Sequence, residues 1–500
     1  MLELSGQFLT LEQIASVSTG RLDVVISEPA YQRIQASRDV VEELIREGRV
    51  VYGVNTGFGK LSDVRIPRSE LEVLQLNLVR SHSCGLGQPL SEAETRAIML
   101  LRANVLALGN SGCRVELVQM LVRMLERRVH PVIPEKGSVG ASGDLAPLAH
   151  LALSMIGEGE SWLDGERMNA GEALRRAQIE PVRLAAKEGL ALLNGTQAMA
   201  AVGGLALYRG QRLAVLADLA GAMTLEALRG TPVAFEARIH AARPHAGQIA
   251  SAAHLRELTE GSEIRQSHLA NDPRVQDAYS LRCMPQVHGA IRDALQHARG
   301  VVEIESGSAT DNPLVFTESG EVLSGGNFHG APLGMVFDYV AIALTDLMSI
   351  SERRIDRLLN PDVNEGLPPF LSPHPGISSG YMIAQVCAVS LLNEAKILAH
   401  PASIDNVPTS GDKEDHVSMG MTAAVKLRQI VSNAEQVIAI ELLTAAEGLD
   451  YRAPLRSSRK IEQARQVIRG SVPRLTADRP LSYDIQRIAE AIQREDFDNL

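Results

Sequence analysis

Five segments constrain the fold more than anything else in the chain: Asn194–Arg229, Met284–Glu303, Gly334–Leu359, Gly380–Ala399 and Asp415–Glu447. In each, apolar residues recur at steps of three and four on more than one face, the period of an α-helix that is covered on several sides. At roughly 20–36 residues they far exceed the usual length of about 11–12. Helices of this kind need one another, and a mainly α fold built on a long multi-helix bundle follows. Composition agrees, since aromatic residues make up only 3% of the 500 residues, which disfavours an aromatic-rich β-sandwich.

The first half of the chain has a different character. A polar helix is expected over Ala30–Glu47, and a glycine-rich loop over Tyr52–Lys60 (YGVNTGFGK). Helices follow over Leu90–Leu108, with Ser91 as N-cap, and over Val115–Arg127. His130–Gly143 is broken by Pro and Gly, Asp144 opens another helix, and a small hairpin is expected around Trp162. These segments divide the chain into an irregular amino-terminal region, 1–193, and a long-helix domain, 194–500.

Several functions are disfavoured. The charge of −11 (49 Lys and Arg against 60 Asp and Glu) argues against nucleic acid or an anionic membrane as partner. Cys84, Cys113, Cys283 and Cys387 are far apart and form no Cys-x-x-Cys pair, and the histidines lack metal-ligand spacing, so no metal is expected. The amino terminus lacks the pattern of a signal peptide, and no apolar run reaches the ~18 residues of a membrane span. The expectation is a soluble cytoplasmic protein. GVNTGFGK lacks the spacing of a P-loop and the Ser or Thr after Lys60, and GISSG at Gly376–Gly380 follows a proline-broken loop rather than a strand.

Gly137–His150 (GSVGASGDLAPLAH) is the segment with chemistry in it. Its plain reading is a glycine loop leading into a helix capped by Ser142 or Asp144. The chemical reading starts from Ala141-Ser142-Gly143. Without a Cβ, Gly143 can bring its amide nitrogen close to the Ala141 carbonyl. Attack there closes a five-membered ring, and loss of water from Ser142 leaves an exocyclic methylene, an electrophile that no ordinary side chain supplies.

This segment resembles the signature of the aromatic amino acid lyase family, and the resemblance extends from Tyr52 to at least Met419. It implies an L-aspartase-like helical fold. It also implies a methylidene-imidazolone (MIO) group formed from Ala141, Ser142 and Gly143, with no external cofactor, and a homotetramer with composite sites. By the same resemblance Tyr52 is the catalytic base and Asn194 lies beside the prosthetic group. Gln276, Tyr279 and Arg282, spaced by three, are neighbours if the backbone is helical there. Arg282 then grips a carboxylate and Phe328 lines the site. Each has a plainer reading alone: Tyr52 packed under a loop, Asn194 as an N-cap, Arg282 in a surface ion pair, Phe328 in the core, Glu414 solvated at a helix start.

The substrate selector is Arg80-Ser-His82, which resembles the histidine-specific members, as do Met382 and Glu414. A carboxylate at 414 suits an imidazole N–H better than a benzene ring. The implied reaction is conversion of L-histidine to trans-urocanate and ammonia, with either the amine or the imidazole attacking the electrophile. Asp412-Lys413 departs from the family's usual Asn-Gln. Tyrosine deamination, a MIO-type aminomutase and a non-catalytic helical assembly protein are the other readings.

Overall fold

The computed structural model describes residues 1–57, 64–270, 272, 274–498 and 500, so Phe58–Lys60 of the glycine-rich loop lie outside the described residues. Contacts group the chain into two compact units: 1–208 with 298–338 and 401–425, and 209–297 with 339–400 and 426–500. The expected division at 193/194 marks where the long helices begin, whereas packing collects each unit from three stretches. The boundaries at 208/209, 297/298, 338/339 and 425/426 all fall inside long helices, which therefore contribute to both units.

The first unit is organised around the helix Glu92–Ala107, in which every residue from Glu94 to Ala107 is buried. Its start is fixed as expected. The Ser91 side chain accepts from the Glu94 N–H while the Glu94 carboxylate accepts from the Ser91 N–H, a reciprocal cap that satisfies two otherwise orphaned donors. Helices Leu11–Ser18 and Val115–Glu126 pack against it. The polar helix expected over Ala30–Glu47 runs from Glu28 to Glu47 and ends on Gly48 in the left-handed conformation. Trp162 lies in the hairpin Glu160–Leu163/Glu166–Asn169, whose first strand also pairs with His130–Pro131.

The long helices are Gln197–Ala227, Met284–Ser306, Ala331–Leu359, Met382–Leu398 and Gly420–Asp450. Four starts differ from expectation: Gly334 and Gly380 give way to Ala331 and Met382, and the other two have a visible cause. Asn194–Thr196 is not helical: Gly195 has φ +150°, a conformation that glycine tolerates, and the helix begins after it. Asn194 is the C-cap of the short helix Glu188–Leu193 rather than an N-cap. The last long helix begins at Gly420 rather than Asp415, because 415–419 is irregular loop that ends on Met419 at φ +53°. One helix is also more apolar than expected. Ala331–Leu359 is long and apolar enough to cross a membrane by composition, yet 72% of its most apolar window is buried inside the protein, as in a bundle core.

The second unit holds a buried ionic network. Asp218 accepts from Ser251 Oγ (2.7 Å), His288 Nδ1 (2.7 Å) and Arg292 Nη2 (2.5 Å). Arg354 donates through Nε and Nη2 to the Glu441 carboxylate (2.5 and 2.9 Å) and meets His288 Nε2 at 3.2 Å. Such groups need partners once desolvated, and here each charge has one.

Candidate active site

The Ala141-Ser142-Gly143 triplet lies in the turn before the helix Leu145–Met155. Asp144 caps that helix only by position. Its carboxylate instead accepts from Ser138 Oγ (2.7 Å) and from the Met199 N–H (2.7 Å), fastening the turn to the first turn of the Gln197–Ala227 helix. Gly143 has φ +72°, and its backbone pairs with Gly195 in a parallel bridge closed by Asp144 N–H donating to Gly195 O at 2.7 Å. A Cβ on Gly143 would stand 2.2 Å from Gly195 O, so no other residue fits without moving the backbone.

Asn194 reaches the triplet from the same side, its Nδ2 donating to Ser142 O at 2.8 Å. Its Oδ1 is buried and has no hydrogen-bond partner. These features fit the MIO group. Ring closure expels the Ala141 oxygen and keeps the Ser142 carbonyl, and the retained carbonyl is the one that Asn194 holds.

The Ser142 side chain meets Glu414, whose Oε1 accepts from Ser142 Oγ at 2.6 Å. Oε2 accepts from Thr409 Oγ1 (2.7 Å) and Ser410 Oγ (2.9 Å). Burial pushes the carboxyl up, but the three hydroxyl hydrogen bonds outweigh it and hold Glu414 below the usual glutamate range, so it is ionised at neutral pH. His82 ends the helix Leu71–His82, with Nδ1 2.9 Å from Leu78 O. Because a carbonyl can only accept, Nδ1 carries the hydrogen and Nε2 is left as an acceptor. Burial lowers the pKa of His82 despite the opposing Leu78 carbonyl and Glu414 charge, so the ring is neutral at pH 7.

Tyr52, His82, Ala141, Ser142, Asn194, Phe328 and Glu414 line one cavity of about 1030 Å³ in the first unit. Tyr52 is carried on a turn closed by Val54 and Asn55 N–H groups donating to Val51 O, with Asn55 Oδ1 accepting from the Val51 N–H at 2.8 Å. The cavity also takes in Asn312, Ser324, His329, Lys413 and His416, which the sequence did not single out as site residues. The His329 and His416 rings stack 5.6 Å apart at 6°, a pairing across 87 positions that no local pattern announces. Lys413 was visible as half of the Asp412-Lys413 departure.

Four expected residues belong to the second unit and do not line this cavity: Gln276, Tyr279, Arg282 and Met382. Tyr279 and Arg282 share the one-turn helix Tyr279–Arg282, the guanidinium 4.6 Å above the Tyr279 ring. Gln276 precedes that helix in a bend, so the three-residue spacing reflects helical adjacency for Tyr279 and Arg282 alone. Tyr279 is 70% exposed, yet Arg282 Nε is buried without a partner. Met382 opens the Met382–Leu398 helix. Among the described residues no group of His, Cys, Asp and Glu is arranged to hold a metal ion.

Comparison with known proteins gives a consistent result. A protein of Anaeromyxobacter sp. (strain K) named histidine ammonia-lyase is 55% identical over 497 residues, 98% of this chain and 98% of its own. The crystal structure of histidine ammonia-lyase from Trypanosoma cruzi matches with a TM-score of 0.93 at 42% identity, over 99% of this chain and 94% of that one. Tyrosine aminomutase from Streptomyces globisporus matches with a TM-score of 0.95 at 39% identity, over 100% and 98%. The family described as aromatic amino acid lyase matches residues 9–470. With the helical fold and the Ala-Ser-Gly turn pressed against Gly195, this match over most of its length makes the chain a member of the aromatic amino acid lyases.

Proposed function

We propose that the chain is a carbon–nitrogen lyase that converts L-histidine to trans-urocanate and ammonia, using an MIO group formed from Ala141, Ser142 and Gly143 and no external cofactor or metal. The observation that carries this reading is the pairing of a ring-forming turn with an ionised carboxylate, Ser142 Oγ to Glu414 Oε1 at 2.6 Å, in one cavity with His82. An MIO group there would supply an electrophile for the substrate's amine, or in the alternative its imidazole, and so ease departure of ammonia.

The chain's own residues do the rest. Glu414 Oε2 is occupied by Thr409 and Ser410, whereas the partner of Oε1 is the hydroxyl that leaves as water when the ring forms. Maturation therefore frees Oε1 to accept an imidazole N–H, and neutral His82 assists at the same end of the substrate. An ionised carboxylate there offers an acceptor to an imidazole N–H that a bare benzene ring cannot use. Tyr52 removes the β-proton as general base, Asn194 holds the Ser142 carbonyl, and Phe328 flanks the substrate.

Arg282 binds the substrate carboxylate, with Tyr279 and Gln276 in the hydrogen-bond network and Met382 near the ring end, contributed by another subunit of a homotetramer. Exposed apolar side chains support that assembly. Met335, Tyr339 and Ile342 form one stripe on the Ala331–Leu359 helix, and Ile383, Val386 and Ile397 form another on Met382–Leu398. The acidic charge and the lack of metal-ligand spacing support a soluble cytoplasmic enzyme that binds neither nucleic acid nor membrane.

The test is an intact mass together with a near-UV assay run in parallel on histidine, tyrosine and phenylalanine. The expected chain is two waters lighter than its sequence and forms urocanate fastest. Ser142→Ala keeps the sequence mass and loses turnover by several orders of magnitude with an unchanged circular dichroism spectrum. A parent chain at full sequence mass, as a non-catalytic assembly protein would have, refutes the proposal.

A further inference from the structure

The backbone wall against which the Ala-Ser-Gly turn presses is itself held from behind by a buried cation. Arg102, from the middle of the Glu92–Ala107 helix, is fully buried. Its Nη1 donates to Asn194 O at 2.9 Å and to Gln197 Oε1 at 2.5 Å, and its Nη2 donates to Ala191 O. All three acceptors lie on the short stretch 191–197 that carries Asn194 and Gly195. Gln197 is in turn fixed by its Nε2 donating to Thr310 Oγ1 at 2.8 Å. A Cβ on Gly195 would stand 2.6 Å from Arg102 Nη1, so the guanidinium, like Gly143, packs directly against this one glycine. Burial disfavours the charge on Arg102, and the nearby buried Asp311, which also accepts from Lys187 Nζ (2.9 Å), is the carboxylate that opposes this.

We infer that Arg102 is a positioning residue for ring closure: it holds the 191–197 stretch so that Gly195 and Asn194 keep the Ala141–Gly143 turn in its cyclisable form. The inference rests on the proposed MIO group. The balance of the reaction shows why position matters. Gly143 N bonds to the Ala141 carbonyl carbon, and the Ala141 oxygen leaves as water with hydrogens from Gly143 N and Ser142 N. Ser142 then loses its hydroxyl and its Cα hydrogen as a second water, with no oxidant or reductant. The first bond joins two atoms of the same short turn, so the turn must stay compressed against something that does not yield. Gly195 O, held 2.7 Å from Asp144 N, and Asn194 Nδ2 on Ser142 O are the contacts that compress it. Arg102 touches neither the turn nor the cavity, but it is the group that ties both contacts to the central helix. A planar guanidinium reaching three acceptors at once is what an ammonium cannot reproduce.

The experiment measures the denatured mass of parent, Arg102→Met, Arg102→Lys and Gln197→Leu chains, each purified as the folded full-length protein and checked by circular dichroism and light scattering. The parent should show the two-water deficit. Arg102→Met should keep the parent's helical signal and association state while most of its chains stay at sequence mass, and Arg102→Lys should recover part of the deficit. Gln197→Leu, which removes one acceptor and leaves the cation, should cyclise more slowly after refolding. A complete deficit in Arg102→Met overturns the inference. If that variant does not fold, complete and equally fast ring formation in both Arg102→Lys and Gln197→Leu overturns it instead. A parent without the deficit refutes the MIO reading itself, which separates the two failures.

Discussion

Replacing Glu414 by glutamine tests the ring end of the site most directly. The carboxylate accepts three hydroxyl hydrogen bonds, two on Oε2 and one on Oε1, and is ionised despite being half-buried. In the proposed mature enzyme only the Ser142 bond is lost, and Oε1 passes to the substrate. Glutamine has nearly the same shape but one end that donates, so the amide orients its oxygen either to Thr409 and Ser410 or to the imidazole, not to both. The substrate then loses a charge-assisted hydrogen bond, worth about 1.5–3 kcal/mol, or roughly a 10–150-fold fall in kcat/KM for histidine. Activity on phenylalanine, which offers no N–H, should fall far less or rise. The assay follows urocanate and cinnamate absorbance side by side, with intact mass confirming that the variant has lost its two waters. A Glu414→Gln enzyme with full ring formation and a histidine kcat/KM within twofold of the parent's would refute the role assigned to Oε1.

Other perturbations address the remaining residues. Arg282→Lys keeps the charge but not the two-pronged geometry and should cost about 2–4 kcal/mol in kcat/KM; equal turnover of histidine and its methyl ester by the parent would rule out carboxylate capture. Mixing Tyr52→Phe with Arg282→Lys chains should restore activity if the two residues meet between subunits, and a fully active monomer in light scattering would contradict that arrangement. Burial pushes Asp144 up to about 6, outweighing its hydrogen bonds from Met199, Ser138 and Ala198. A raised carboxyl pKa stabilises the fold while protonated, so a contribution of roughly 3 kcal/mol is full below the ordinary value and fades as pH climbs through about 6. The urea midpoint of the parent should fall relative to that of Asp144→Asn as pH rises across that window, and parallel curves would be the contrary result. Asp311→Asn leaves Lys187 and Arg102 both uncompensated and should destabilise by about 3–5 kcal/mol, more than Lys187→Met, which leaves one cation facing one carboxylate; the reverse order in urea would count against this charge balance.

Helix existence was legible because it depends on short-range pattern. Ser91 followed by Glu94 announces its helix start, and the apolar steps of the long helices announce the bundle. Breaks were harder to read, since Asn194-Gly-Thr looks like an N-cap followed by a helix until the +150° φ of Gly195 is known. The electrophile triplet, His82 and Glu414 could be found by resemblance, but the hydroxyls of Thr409 and Ser410 that keep Glu414 ionised could not. They are ordinary loop residues until the chain folds back on them. Arg102 did leave a signal: a lone cation inside IMLLRANVL, where every other residue but Asn104 is apolar, is expected to be buried and must then have partners. Which partners it has is a matter of three-dimensional packing alone.

Glu414 and Ser142 are separated by 272 positions, and Ser418 meets Gly140 O across 278. On a ribosome adding about 5–20 residues per second, the turn emerges roughly 15–55 seconds before the loop that encloses it. During that interval the turn is a nascent segment without the far wall of its pocket. By the proposed reading, the electrophile then belongs to the finished fold, where a cavity keeps it from thiols and amines in solution.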